Sequence, residues 1–143
     1  MVLPVLILII LGILYFGRYE DYSNQMTQLA ESGARSASVN FIPTGYSNNL
    51  EGYIQSQAQG ELANGSSDVT TPIVAYIYYP TTAPSGNTVG NAIRVCVVAT
   101  VKYPFLGTNG LTSTVVEYAT QRIEVADTTS FTADTPPSGC PTA

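Results

Sequence analysis

The chain has 143 residues, a length that accommodates one folded domain and an accessory element. Only 10% of its residues are charged, against about 25% in an ordinary soluble domain, and the net charge is −5. Five scattered basic residues argue against a nucleic-acid partner, and the lack of any histidine removes the usual general base and the commonest metal ligand.

The first 17 residues, MVLPVLILIILGILYFG, contain no charge; the first charged side chain is Arg18. A helix that is apolar on every side must be buried in a bilayer or in protein. At 1.5 Å per residue this one reaches about 26 Å, close to the roughly 30 Å of a hydrocarbon core. Val2, Leu3, Pro4, Leu6, Ile9, Ile10, Ile13, Leu14, Phe16 and Gly17 are therefore its candidate membrane and assembly positions. Pro4 sits near the helix start, where a missing N–H costs little. The segment lacks the basic n-region and the small-x-small site of a cleavable signal peptide. A cytosolic helical core is a poor alternative, because nothing downstream offers enough helical surface to enclose it.

Helical spacing continues through Tyr19, Tyr22, Met26, Leu29, Gly33, Ala37 and Phe41. Glu31 and Arg35 stand at i,i+4, the spacing of a helical ion pair, and Pro43 with Gly45 supplies a stop. The expectation is one helix of about 40 residues, apolar all round in its first half and amphipathic in its second. The charged trio Arg18, Glu20 and Asp21 has two readings. One is an interfacial boundary with Arg18 snorkelling; the other is ion pairing between neighbouring subunits. Arg18, Glu20, Tyr22, Met26, Leu29 and Gly33 are the candidate subunit contacts, and Gly12, Gly17, Gly33 and Ala34 are places where neighbouring backbones can approach.

Leu50, Ile54, Ala58 and Leu62 predict a short second helix. Ile73 to Tyr79 predicts a strand ended by Pro80; its Tyr-rich core, Ala75-Tyr76-Ile77-Tyr78-Tyr79, either fills the interior or presents an adhesive face. A loop spans Thr81 to Asn91. Ala92 to Tyr103 is the clearest strand, with Ile93, Val95, Val97, Ala99 and Val101 on one face and Cys96 on the other. Gly107 to Gly110 predicts a turn, and Thr112 to Val125 a third, antiparallel strand. The Thr- and Pro-rich tail from Ala126 reaches back if Cys140 bonds Cys96. In an oxidising compartment that pair closes a loop of about 45 residues, worth roughly 4 kcal/mol; the alternative is two inert thiols. The fold class is α+β: a long N-terminal helix (1–42) carrying a small antiparallel β-sheet head with a tethered tail (43–143).

Chemistry is sparse. Glu117 and Glu124 are seven residues apart in the third predicted strand and so face opposite ways. Hydroxyls abound, but no activating base is identifiable, and phosphate loops and EF-hand patterns are absent. Asn64-Gly65-Ser66 matches a glycosylation acceptor, a short pattern with a high chance-match rate. No enzyme activity, cofactor or metal is expected.

The segment from Val2 to Ser38 resembles the N-terminal region of TadE-like pilin-related proteins of the tight-adherence system. Three features carry the resemblance: Val2-Leu3-Pro4 at the entry to the apolar run, Phe16-Gly17-Arg18, and Glu31-Ser32-Gly33-Ala34-Arg35. Tyr103-Pro104-Phe105 and the strand end Ala119 to Glu124 are similar more loosely. The resemblance implies a type IV pilin-like subunit, held in the inner membrane by its N-terminal helix. It further implies maturation by a prepilin peptidase and packing helix-to-helix into an extracellular adhesive filament. Its partners would be copies of itself, other pilus subunits, the inner-membrane assembly machinery and, before assembly, the lipid bilayer. Members usually carry a glycine and a nearby glutamate before V-L-P, whereas the first acidic residue here is Glu20. The rival readings are a membrane-anchored minor pseudopilin of the pilus or secretion machine and a membrane-tethered binding module.

Overall fold

A computed structural model describes residues 3–46, 49–62, 73–81, 87–103, 111–126 and 133–142. Helix α1 covers Leu3–Ser38 and helix α2 Leu50–Leu62, followed by strands β1 (Val74–Tyr78), β2 (Ala92–Tyr103) and β3 (Leu111–Arg122). The strands form one antiparallel sheet in the order β1-β2-β3. The layout is the expected α+β, type IV pilin-like one. Val2, the Asn64-Gly65-Ser66 acceptor, the turn from Gly107 to Gly110 and the Pro104-Phe105 pair lie outside the described residues.

Both helices pack on one face of the sheet. The second half of α1 buries Met26, Leu29, Ala30, Gly33, Ala34 and Ala37, one stripe at steps of three and four. Opposite them stand Ile93, Val95, Val97, Ala99 and Val101 of β2, with Ala75 and Ile77 of β1 and Val115 of β3. Helix α2 adds Leu50, Ile54, Ala58 and Leu62, all buried, as its four-residue spacing predicts. Asn49 caps α2: its Oδ1 accepts the Gly52 N–H at 2.7 Å, and its carbonyl accepts the Tyr53 N–H.

Small residues set how closely α1 lies on this core. A Cβ added at Gly33 would stand 2.7 Å from Cδ1 of Ile54 and 3.4 Å from Cγ1 of Val95. Gly33 therefore serves the seam between α1, α2 and β2 inside the molecule.

Helix α1 ends three residues before the expected limit. Asn40 takes a left-handed φ of 53°, the Phe41 N–H donates to the Ser36 carbonyl and the Asn40 N–H to Ala37. That is a Schellman stop with asparagine in the position glycine usually fills. Phe41 thus leaves the helical stripe and is exposed, contrary to the helix expectation. Strand β3 likewise stops at Arg122, so Glu124 lies beyond it; its N–H donates to the Ser38 carbonyl at 2.9 Å. Glu117 faces α1 and accepts a hydrogen bond from Ser23 Oγ.

The tail covers part of the outer sheet face. Cys96 and Cys140 are disulfide-bonded, and around them gather Tyr78, Tyr76, Val98 and Val116. The Tyr78 hydroxyl donates to the Pro141 carbonyl at 2.7 Å, and Arg94 reaches the same carbonyl through Nη1 while its Nε bonds Thr120 Oγ1. The Tyr-rich strand packs on both faces, with Tyr78 buried and Tyr76 and Tyr79 half-buried.

The tail also closes the free edge of β1. The Asp134 N–H donates to the Ile77 carbonyl at 2.8 Å, and the Ile77 N–H donates to Asp134 Oδ2 at 3.2 Å. Asp134 in turn hydrogen-bonds the Glu51 carboxyl in the first turn of α2. Burial, then the nearby Asp134 charge, then that hydrogen bond push Glu51 up to about 7 from an ordinary 4.5.

Three outcomes follow from this packing. Gly33→Leu lowers the stability of the full chain in detergent by about 1–3 kcal/mol, because the added side chain meets α2 and β2; an unchanged melting curve would show a loose seam. Replacing Cys96 and Cys140 together by serine lowers stability by about 4 kcal/mol or less and raises hydrogen exchange at Ile77. Unaltered exchange there would mean the tail is held without the bond. The raised Glu51 keeps a proton in the folded state that the unfolded chain releases. Its contribution is thus complete below about pH 4.5 and lost as the pH rises through about 7. Melting temperatures measured from pH 4.5 to 8 should fall in the native chain and flatten in Glu51→Gln; parallel curves would refute the linkage.

Candidate functional site

The one large unsatisfied surface among the described residues is the first half of α1. From Leu3 to Phe16 most of its large side chains are 47% to 71% exposed; Leu11 is half-buried, and Tyr15 packs against the core of the head. Pro4 falls in the first turn, where no intrahelical acceptor exists for an N–H. Leu, Ile, Val and Phe on every side give this half no polar face, so it cannot turn a wet side outward. It is long and apolar enough, by length and composition, to cross a membrane.

The transition from bare to covered helix is sharp. Arg18, Glu20 and Asp21 are exposed at the boundary, and Asp21 accepts a hydrogen bond from Gln25 Nε2 at 3.1 Å. Tyr15 and Tyr22 lean on the core from either side of that charged step. Met26 is then fully enclosed.

This geometry divides the residues singled out from sequence. Leu3, Pro4, Leu6, Ile9, Ile10, Ile13, Leu14, Phe16 and Gly17 all lie on the bare half. Gly12 and Gly17 have open space where a Cβ would stand, so a neighbouring backbone meets no obstacle there. Arg18 and Glu20 are at the surface. Met26, Leu29 and Gly33 are not available as subunit contacts: the chain's own α2 and sheet consume them, as they do Ala34. Tyr22 is half-buried against the same core. Helical periodicity alone cannot distinguish a stripe packed on its own head from one offered to a neighbour. The signal that separates them is the downstream supply of apolar strand residues, which encloses the stripe fully only from Met26 onward.

Sequence reasoning missed two polar anchors. Arg94 is buried, with its guanidinium 5.2 Å from the centre of the Tyr118 ring and its hydrogen bonds directed to Thr120 and the tail. Asp134 closes the sheet edge. Arg94 is two residues from Cys96 in β2 and so shares its face, which was the available clue; nothing marked Asp134. Among the described residues no group of three or more Cys, Asp or Glu side chains is placed to hold a metal ion.

No curated protein and no solved structure matches the chain. Its N-terminal residues 1–35, which hold the whole bare segment and most of the covered one, match the family model of TadE-like proteins, a family associated with the tight-adherence pilus.

Proposed function

We propose that this chain is a structural subunit of an extracellular, type IV-like filament of the tight-adherence kind, polymerised through the first half of α1 and serving surface attachment. The observation that carries the proposal is the division of one continuous helix into a half seated in the head and a half left largely bare by the described residues. Before assembly the bare half lies in the cytoplasmic membrane; afterwards a bundle of the same helices receives it. Leaving lipid for such a bundle requires close packing rather than water exclusion, and Gly12 and Gly17 supply the small surfaces that packing uses. The head then faces an oxidising space, in keeping with its disulfide. The role is non-catalytic and takes no cofactor: the chain has no histidine, and Glu117 is committed to Ser23.

A second reading is a membrane-anchored component of the pilus machine that does not polymerise extensively, since an apolar helix of this length is also a sufficient anchor.

The test is electron microscopy with immunolabelling of material sheared from cells that make either the full chain or one lacking residues Met1 to Gly17. Filaments labelled along their length, present only with the full chain, are the expected result. Full chain confined to membranes, with no labelled filament, would instead establish the anchored component.

A further inference from the structure

Helix α1 and strand β3 run side by side in the same direction. Ser23 donates to Glu117, and farther along the Ser38 carbonyl accepts the Glu124 and Val125 N–H groups at 2.9 and 3.1 Å. The helical steps from Ser23 to Ser38 rise about 22 Å and the extended steps from Glu117 to Glu124 about 23 Å, so the two elements advance together. Followed back toward the N-terminus at these rates, the start of β3 at Leu111 to Ser113 stands level with roughly residues 10 to 14 of α1. The register brings the end of β2 to the same place, with Val101 opposite Ser113 and Lys102 opposite Thr112. Leu11 is half-buried and Tyr15 packs against the core, as this alignment requires.

The sheet therefore extends past Arg18, the first charge of the helix, onto a turn that is apolar. Around Tyr15 on that turn, Ile13, Leu14 and Phe16 are 66%, 61% and 66% exposed. When lipid keeps those three side chains dry, the strand ends packed beside them are drawn to the bilayer surface. We infer that the end of the sheet where β2 finishes and β3 begins is a second membrane contact, seated in the phosphate layer of the lipid headgroups beside α1. The inference rests on the membrane stage of the function proposed above and adds the head to it.

The chemistry of this end fits headgroups rather than hydrocarbon. Thr112 and Thr114 are exposed on the same face as Lys102, the chain's one lysine, which is half-buried. A lysine in such a place lays its stem along apolar surface and holds its ammonium at the phosphates. Among the described residues, the charges level with Arg18 or nearer the bare half are Arg18 and Lys102, both cationic. Glu20 and Asp21 follow Arg18 along α1 and so stand farther from the lipid, and Glu117 is level with Ser23 and bonded to it. Cations at the phosphate depth with acids set behind them are the order that a phospholipid surface favours.

The test uses the full chain in vesicles of phosphatidylethanolamine and phosphatidylglycerol. The chain has no tryptophan, so a single one reports its own depth. Thr112→Trp probes the proposed contact, Val89→Trp the opposite pole and Ile9→Trp the bare half. The expected result is blue-shifted emission from position 112, quenched about twofold or more by a nitroxide on the lipid headgroup, with position 89 unaffected. Added to Thr112→Trp, Lys102→Glu should return the quenching toward the level at position 89; undiminished quenching would overturn the phosphate contact. Emission at position 112 as wet and unquenched as at position 89, with position 9 quenched by an acyl-chain nitroxide, would overturn the docking and leave the anchor standing. An unquenched position 9 would overturn the membrane reading and this contact with it. Thermal melting checks each head, and Thr114→Trp, exposed on the same face, is read should Thr112→Trp fail to fold.

Discussion

The structure depends on how near α1 can come to β2. Ala30, Gly33, Ala34 and Ala37 present almost no side chain, so the helix backbone lies directly over Ile54, Val95 and their neighbours. That closeness makes a core from few residues: β2 is only 12 residues long, and its inner face is part of the floor for α1, while α2 lies on α1 and β1. With larger side chains along this stripe, α1 would stand off, the contacts of its second half would be lost, and no rigid connection would join head to stem. Close packing here is what converts a hydrophobic tether into a stalk with a fixed direction.

The same helix shows how an apolar residue acquires its role from what lies opposite. Met26 and Phe16 are both apolar side chains of one continuous helix, yet one is fully enclosed and the other bare. Leaving about ten large side chains half or more exposed to water costs on the order of 10 kcal/mol, comparable with the whole net stability of a small domain. Folding of the head has no means of relieving that cost, because its inner face is already filled by α1 itself and by α2. The environment of the bare half, lipid or like helices, therefore has to be supplied from outside the chain. The family match, over residues 1–35, takes in this region.

Much of this arrangement was legible before any coordinates. The bounds of α2 and β2, the apolar half of α1 and the facing of Cys96 toward the tail all follow from periodicities of 3.6 and 2, because burial on one face enforces a period. What periodicity does not encode was misjudged. The stop at Asn40 depends on one left-handed residue, and asparagine announces that less clearly than glycine; Pro43 and Gly45 drew the boundary too late. Glu124 was assigned to β3 because Ile123 and Val125 extend the apolar alternation past Arg122, where the chain instead turns to bond Ser38. The roles of Met26, Leu29 and Gly33 were misplaced for a further reason: a buried stripe and an interface stripe have the same composition, and only the three-dimensional partner tells them apart.

The two sheet edges reveal the division of labour between head and tail. Antiparallel alternation leaves one residue in two of an edge strand with its N–H and C=O turned outward. On β1, Ile77 is such a residue, and Asp134 satisfies both of its groups, one through backbone and one through side chain. Closing Ile77 in this way hinders a strand from another chain from pairing there. The disulfide six residues further along the tail holds that closure in place, and Arg94 draws the Pro141 carbonyl onto the same face. Association through this side of the sheet is thereby hindered. Contacts are channelled instead to the surfaces left bare, and the largest of these is the apolar helix half that the head does not enclose.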